Sequence, residues 1–316
     1  MGEGVAGLAA HLQREFGKAV VGQQEPLEQL LLVLLCGGHA LLEGVPGLAK
    51  TLAVKVLARL LRLEFQRVQC TPDLMPADVT GTNVFNMATS SFAFHRGPIF
   101  TDLLLVDEIN RTPPRTQSAL LEAMEERQVT VEGTRHALSS FFTVCATQNP
   151  IEFEGTYPLP EAQLDRFLVK IRFAYPEDAA EQEILRHFHE GFDPHDLDRL
   201  GLEPVAAEML AAARAEVIRI QVEPALIQYV TAIARRTRDW PAVSLGASPR
   251  AAVSLLLVAK ACAAVEGRDY LIPDDVKTAA APVLRHRLVL KPEAELEGVS
   301  ADQAIAEVLA SVDLPK

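Results

Sequence analysis

The segment Gly44-Val45-Pro46-Gly47-Leu48-Ala49-Lys50-Thr51 constrains this chain more than any other. An apolar run, His39–Glu43, precedes it and reads as a strand; the pattern Lys50–Leu61 follows it and reads as a helix. A glycine-bearing turn between a strand and a helix points backbone N–H groups inward at a helix N-terminus, where anions are favoured. The spacing therefore predicts a phosphate-binding loop formed by Gly44, Val45, Pro46, Gly47, Leu48 and Ala49. Lys50 would reach the β- and γ-phosphates, and Thr51 would ligate Mg2+. Ala49 stands where the strict pattern has glycine, a mild departure if that position keeps a helix-like φ.

A second signal lies downstream. Leu103-Leu104-Leu105-Val106-Asp107-Glu108 is an apolar strand that ends in two carboxylates. Asp107 is placed to hold the metal's water shell. Glu108 is placed to polarise the water that attacks the γ-phosphate, general-base work that needs a carboxylate within one hydrogen bond. A third strand ends Val144-Cys145-Ala146-Thr147-Gln148-Asn149-Pro150, which puts a polar side chain at a neighbouring tip. Asn149 is the first candidate to bond the γ-phosphate or the attacking water, with Thr147 second. ATP and Mg2+ are the expected ligands.

The first half of the chain alternates strands and helices, an α/β pattern with a largely parallel sheet. Strands are expected near 39–43, 64–69, 103–106, 142–147 and 167–173, and helices near 26–35, 50–61, 113–126 and 160–165. Two stretches interrupt the alternation, a hairpin-like insert near 78–94 and a second hairpin near 129–138 with Glu132-Gly133 at its turn. From Pro176 onward alanine-rich helical patterns dominate, near 177–190, 205–218, 224–238, 249–266, 273–284 and 301–310. Five of them open on or just after proline, a helix-start signal. The reading is a nucleotide-binding core of residues 1–175 and an all-helical domain of residues 176–316.

Composition narrows the partners. The formal charge of −12 argues against nucleic acid as a partner, because phosphate neutralisation by basic side chains supplies most of that affinity. No apolar run approaches the roughly 20 residues that span a bilayer. An export signal is not visible, and Ala6 replaces the Ser or Thr of a myristoylation signal. Cys36, Cys70, Cys145 and Cys262 are scattered, which predicts reduced, buried thiols and a cytoplasmic protein. His187 and His189 are two apart on a helical pattern, so they diverge, and with His195 they read as exposed side chains rather than metal ligands.

Taken in order, these motifs resemble the AAA+ ATPases and, more closely, their MoxR family. The resemblance rests on 44–51, on Gly97–Phe100 leading into Asp107–Arg111, on 116–124, on Ala146–Pro150 and on Tyr157–Phe167. Gly246–Arg250 and Pro282–Arg287 extend it into the second half, so it covers almost the whole chain. It implies an αβα core with a five-stranded parallel sheet, a helical lid, and nucleotide bound between subunits of a homo-oligomeric ring, commonly a hexamer. On that resemblance Asn149 is sensor 1, Arg166 the arginine finger that reaches a neighbour's γ-phosphate, and Arg250 sensor 2, a catalytic and nucleotide-binding residue. Val21 and Gly22 pass backbone around the adenine, and the two hairpins are the helix-2 insert and the pre-sensor hairpin, facing the ring pore. The family's role implies chaperone-like remodelling of a protein client, often with a von Willebrand factor A domain partner encoded elsewhere.

The arginines can also be read without the resemblance. Arg166 precedes the last core strand, at the sheet's edge, which suits a neighbour's nucleotide; an ion pair with Asp165 or Glu161 is the plainer reading. Phe92 and Phe94 in the insert are gripping residues or its buried face, with burial expected for at least one. A transporter ATPase signature is absent, and the insert reads Gly81-Thr82-Asn83-Val84-Phe85-Asn86, unlike that of enhancer-binding activators. A DNA-acting motor and a scaffold with little turnover remain as alternatives.

Overall fold

The computed structural model of the chain describes residues 4–88, 90–149, 156–194 and 196–315. In chain order the first half comprises α1 (Gly4–Gly17), α2 (Gln24–Cys36), β1 (Ala40–Glu43), α3 (Lys50–Leu60), β2 (Phe65–Gln69), α4 (Pro76–Thr80), β3 (Gly81–Asn86), β4 (Ser91–Arg96) and β5 (Leu103–Asp107). It continues with α5 (Pro114–Glu126), β6 (Gln128–Val131), β7 (Thr134–Ala137), β8 (Thr143–Gln148), α6 (Glu161–Leu164) and β9 (Val169–Arg172). The second half holds α7 (Asp178–His189), α8 (Ala207–Arg219), α9 (Pro224–Arg238), β10 (Val243–Leu245), α10 (Pro249–Val265), α11 (Pro273–Leu284), β11 (Val289–Leu290), α12 (Pro292–Leu296) and α13 (Ala301–Ser311).

The five expected strands form one sheet in the order β2-β5-β8-β1-β9, parallel throughout. Its central strands are apolar on both faces, as a parallel sheet covered by helices requires. Leu42, Leu105 and Cys145 enter the layer shared with α2, α3 and the helices of the second half. Leu41, Leu104 and Ala146 face the opposite layer, closed by Leu120, Leu121 and Met124 of α5. That alternation is the period of two of a strand. All five strands run the same way, so their carboxyl ends meet at one edge, where open α/β sheets bind ligands.

Three differences from the sequence reading have physical causes. Helix α1 was not expected, yet Val5, Leu8, Ala9, Leu12 and Phe16 recur at helical spacing and are buried. The helical half carries a short antiparallel ribbon, β10 with β11, whose strands are too short to show any alternation. The apolar layer also runs on across residue 175, because α1 and α2 share it with α8 and α10.

Both hairpins form, as β3 with β4 and β6 with β7. In the insert, Phe94 stacks on His136 with ring centroids 4.1 Å apart, whereas Phe92 is 69% exposed. The expectation of burial thus holds in part for Phe94 and not for Phe92. His187 lies 3.2 Å from Glu183 on α7, and His195 and Pro150 fall outside the described residues. Among the described residues no helix is long and apolar enough to cross a membrane.

Candidate functional site

The loop after β1 turns on a close backbone approach. A Cβ on Gly44 would lie 2.7 Å from the carbonyl oxygen of Phe173, so only glycine fits where β1 leaves the sheet beside β9. Ala49 differs from the expectation: its φ is +58°, in the left-handed region, not helix-like. That conformation costs a non-glycine residue roughly 1–2 kcal/mol, which is why the strict pattern places glycine there. Lys50 opens α3 and folds back over the loop, donating from Nζ to the carbonyls of Gly44 at 2.6 Å and Val45 at 2.8 Å. Burial lowers its pKa, while the charges of Asp107 and Glu108 pull the other way.

Asp107 ends β5 and Glu108 follows it, and one hydroxyl organises both. Thr147 Oγ1, on the adjacent β8 and 2% exposed, donates to Asp107 Oδ1 at 2.6 Å. The same oxygen accepts the Glu108 backbone N–H at 2.8 Å. Glu108 sits at φ +59°, a strained position for a residue with a side chain, of the kind that concentrates at functional sites. Its carboxylate meets Gln69 Nε2 at 3.3 Å and Arg111 Nε at 3.2 Å. Arg67 of β2 donates to Asp107 Oδ2 from Nε at 3.1 Å and from Nη2 at 2.6 Å.

These groups share a cleft of about 460 Å³, a size suited to a small ligand. Pro46, Gly47, Leu48, Ala49, Lys50 and Thr51 line it from the loop, with Asp107 and Glu108 opposite and Asn149 at the third strand tip. The Thr51 hydroxyl and the Asp107 carboxylate are hard oxygen donors in one place, the donor chemistry that Mg2+ prefers. Val21 and Gly22 line a second cavity of about 440 Å³ with Tyr175 and Pro176. A Cβ on Gly22 would lie 2.9 Å from the Pro176 side chain, and Gln23 Nε2 ties the segment to the Ala174 carbonyl at 3.1 Å.

Arg166 and Arg250 belong elsewhere. Neither lines either cavity; both converge on Glu125 of α5, Arg166 at 3.1 Å and Arg250 at 3.2 Å. The ion pair read for Arg166 from the sequence, with Asp165 or Glu161, is replaced by this one. Asp165 instead holds Arg287 at 2.6 Å. Arg287 is buried and also donates to the carbonyls of Phe167 at 2.6 Å and Leu168 at 2.9 Å. Its fork of donors thus clamps the backbone that carries Arg166. Arg287 ends the stretch Pro282–Arg287 that carries the resemblance, but no role is read for it there, and Arg67, Gln69 and Glu125 carry no local motif. Only knowledge of the strand order and helix docking would single them out.

Comparisons agree with this geometry. Residues 39–169 match the profile of the ATPase family associated with various cellular activities (AAA), and residues 235–308 match the AAA lid domain. The chain is 45% identical over 299 residues to the uncharacterized protein YeaC of Bacillus subtilis, covering 94% of this chain and 92% of that one. It is 42% identical to the chaperone MoxR1 of Mycobacterium tuberculosis, over 99% of this chain and 85% of that one. The crystal structure of a candidate ATPase from Cytophaga hutchinsonii superposes with a TM-score of 0.89 at 42% identity, covering 97% of this chain and 94% of that one. With a five-stranded parallel core, a helical lid and this level of identity over nearly its full length, the chain belongs to the MoxR family of AAA+ ATPases.

Proposed function

We propose that this chain binds ATP with Mg2+ in the cleft beside Lys50 and hydrolyses it, within a homo-oligomeric ring that remodels protein complexes. The observation that carries this reading is the convergence of Lys50, Thr51, Asp107, Glu108 and Asn149 on one cavity. In this reading the loop's N–H groups and Lys50 bind the phosphates, and the adenine lies against Val21, Gly22 and Pro176. Thr51 and Asp107 would hold Mg2+, which when bound supplies charge neutralisation at the phosphate oxygens. Glu108 takes the proton from the attacking water, and Asn149 orients that water or the γ-phosphate.

Arg166 and Arg250 act on a neighbouring subunit's nucleotide. Their shared position at Glu125, away from their own phosphate loop, supports the assignment for both. An arginine supplied in trans is worth about 10³–10⁵ in rate in other phosphoryl-transfer proteins, so turnover becomes conditional on assembly. The same reading divides the chain into a core of residues 1–175 and a lid of residues 176–316. It places a hexamer, a protein client and a von Willebrand factor A domain partner among its expected assemblies.

Turnover of Glu108→Gln against wild type tests the enzyme reading. Glutamine keeps the shape and removes the base, so ATP stays bound while hydrolysis drops by about 10²-fold or more. Equal rates would leave a nucleotide-dependent scaffold as the better account.

A further inference from the structure

Arg166 and Arg250 stand on different parts of the fold. Arg166 precedes β9 of the sheet, and Arg250 is the second residue of α10, among the helices of the second half, yet both meet Glu125. Glu125 alone is a weak tether, because its side chain is 38% exposed and exposed ion pairs contribute little. The residue before Arg166 supplies a firmer one. Asp165 Oδ1 accepts Arg287 Nε–H at 2.6 Å, and Asp165 Oδ2 accepts the Ser248 hydroxyl at 3.2 Å. Ser248 is the N-cap of α10, its Oγ accepting the Ala251 N–H at 3.1 Å. One carboxylate thus joins the chain beside Arg166 to the cap of the helix that aims Arg250.

The turn after α11 completes the joint. β9 is an edge strand of the sheet, so carbonyls on its open side need donors from elsewhere. Arg285 Nη1 reaches the Lys170 carbonyl at 3.3 Å, and His286 Nε2 donates to that of Phe167 at 2.9 Å. Arg287 adds the carbonyls of Asp165 at 3.2 Å, Phe167 at 2.6 Å and Leu168 at 2.9 Å. Its side chain is only 3% exposed. A planar guanidinium with donors fixed in several directions, in a place closed to water, leaves the joined segments little room to shift.

We infer that Asp165 is a positioning residue: by joining Arg287 and the cap of α10, it holds Arg166 and Arg250 at a fixed spacing, so that both cations meet the neighbour's nucleotide together. The inference rests on the reading of those two arginines as acting on a neighbouring subunit. Asp165 and Arg287 line neither cavity and act only through the arginines. A misplacement of about 1 Å in a group that serves the reaction costs up to about 10²-fold in rate. Each subunit's own phosphate loop is untouched, so the loss belongs to kcat and not to KM for ATP.

The test is steady-state phosphate release by the assembled full chain carrying Asp165→Asn, with Arg166→Ala and the double variant beside it. In Asp165→Asn, kcat falls about ten- to hundredfold while KM for ATP stays within about twofold of wild type. Added to Arg166→Ala, the same substitution costs less than about threefold more, because it acts through a side chain already removed. Asp165→Asn leaves the buried Arg287 charge without its partner and can weaken the fold, so Arg287→Lys is the second variant. It keeps a cation beside Asp165, but one ammonium cannot serve the carbonyls of Asp165, Phe167 and Leu168 at once, and the same fall in kcat is expected. A wild-type kcat in either folded variant, or a loss that multiplies in full with that of Arg166→Ala, would overturn the positioning role and leave the arginine reading standing. A wild-type kcat in Arg166→Ala would overturn the arginine reading itself, and the positioning role would fall with it.

Discussion

Thr147→Val is the substitution that probes the site most finely, because one buried hydroxyl holds the Asp107 carboxylate and the Glu108 backbone N–H. The exchange replaces oxygen with a methyl group of similar size, so it opens no cavity and the loss is one of hydrogen bonding. The bond to Asp107 is charge-assisted and contributes about 1.5–3 kcal/mol, and that from the Glu108 N–H about 0.5–1.5 kcal/mol. Asp107 is 14% exposed, so water can replace part of the first contribution, and the net loss should be about 2–3 kcal/mol. For a chain of this length, about 1.5 °C of melting temperature goes with each kcal/mol, so a drop of about 3–5 °C is expected. Function should suffer more than stability. Without its anchor, the strained Glu108 backbone is free to relax, and kcat should fall at least about tenfold while ATP affinity changes little. Differential scanning calorimetry and steady-state phosphate release measure the two effects, with Thr147→Ser as the control that keeps the hydroxyl. A Thr147→Val protein with unchanged melting and unchanged kcat would refute the argument.

Two further outcomes follow from the same geometry. Arg166→Ala and Arg250→Ala should each retain ATP binding and lose hydrolysis by about 10³-fold in the assembled protein. Mixing either with inactive Lys50→Ala subunits should restore part of the rate, and no recovery at any ratio would place the arginines on their own nucleotide. His39 donates Nε2–H to Met124 O and accepts the Val144 N–H at Nδ1, and burial lowers its pKa to about 4. Its folded pKa lies below its unfolded value, so it stabilises the protein fully above about pH 6.5 and progressively less as pH falls towards 4. His39 alone should remove about 2 kcal/mol between pH 7.5 and pH 5. A urea midpoint that does not move between those two values would contradict this.

Legibility in the sequence followed the range of the interaction. The phosphate loop was readable because strand, turn and helix are contiguous, and Asp107 and Glu108 because they end an apolar run. Strand order was harder. Arg67 meets Asp107 only because β2 pairs with β5 in a register that sets Gln69 opposite Asp107, and no local pattern encodes that pairing. Ala49 shows the limit of motif matching, since the residue type was plain but its left-handed backbone was not. Helix α1 is written in the apolar spacing of Val5, Leu8, Leu12 and Phe16, whereas β10 and β11 offer too few residues to show a pattern. The meeting of Arg166 and Arg250 on Glu125 joins three segments far apart in the chain. It became visible only once α5 and α10 were docked.

Equilibrium binding of Mg·ATP to Lys50→Ala, measured beside wild type by isothermal titration calorimetry, bears most directly on the nucleotide site. Lys50 is placed to supply charge-assisted hydrogen bonds of about 1.5–3 kcal/mol each, so affinity should fall about 10²-fold. A variant that binds Mg·ATP as tightly as wild type would mean that this loop is not where the nucleotide sits.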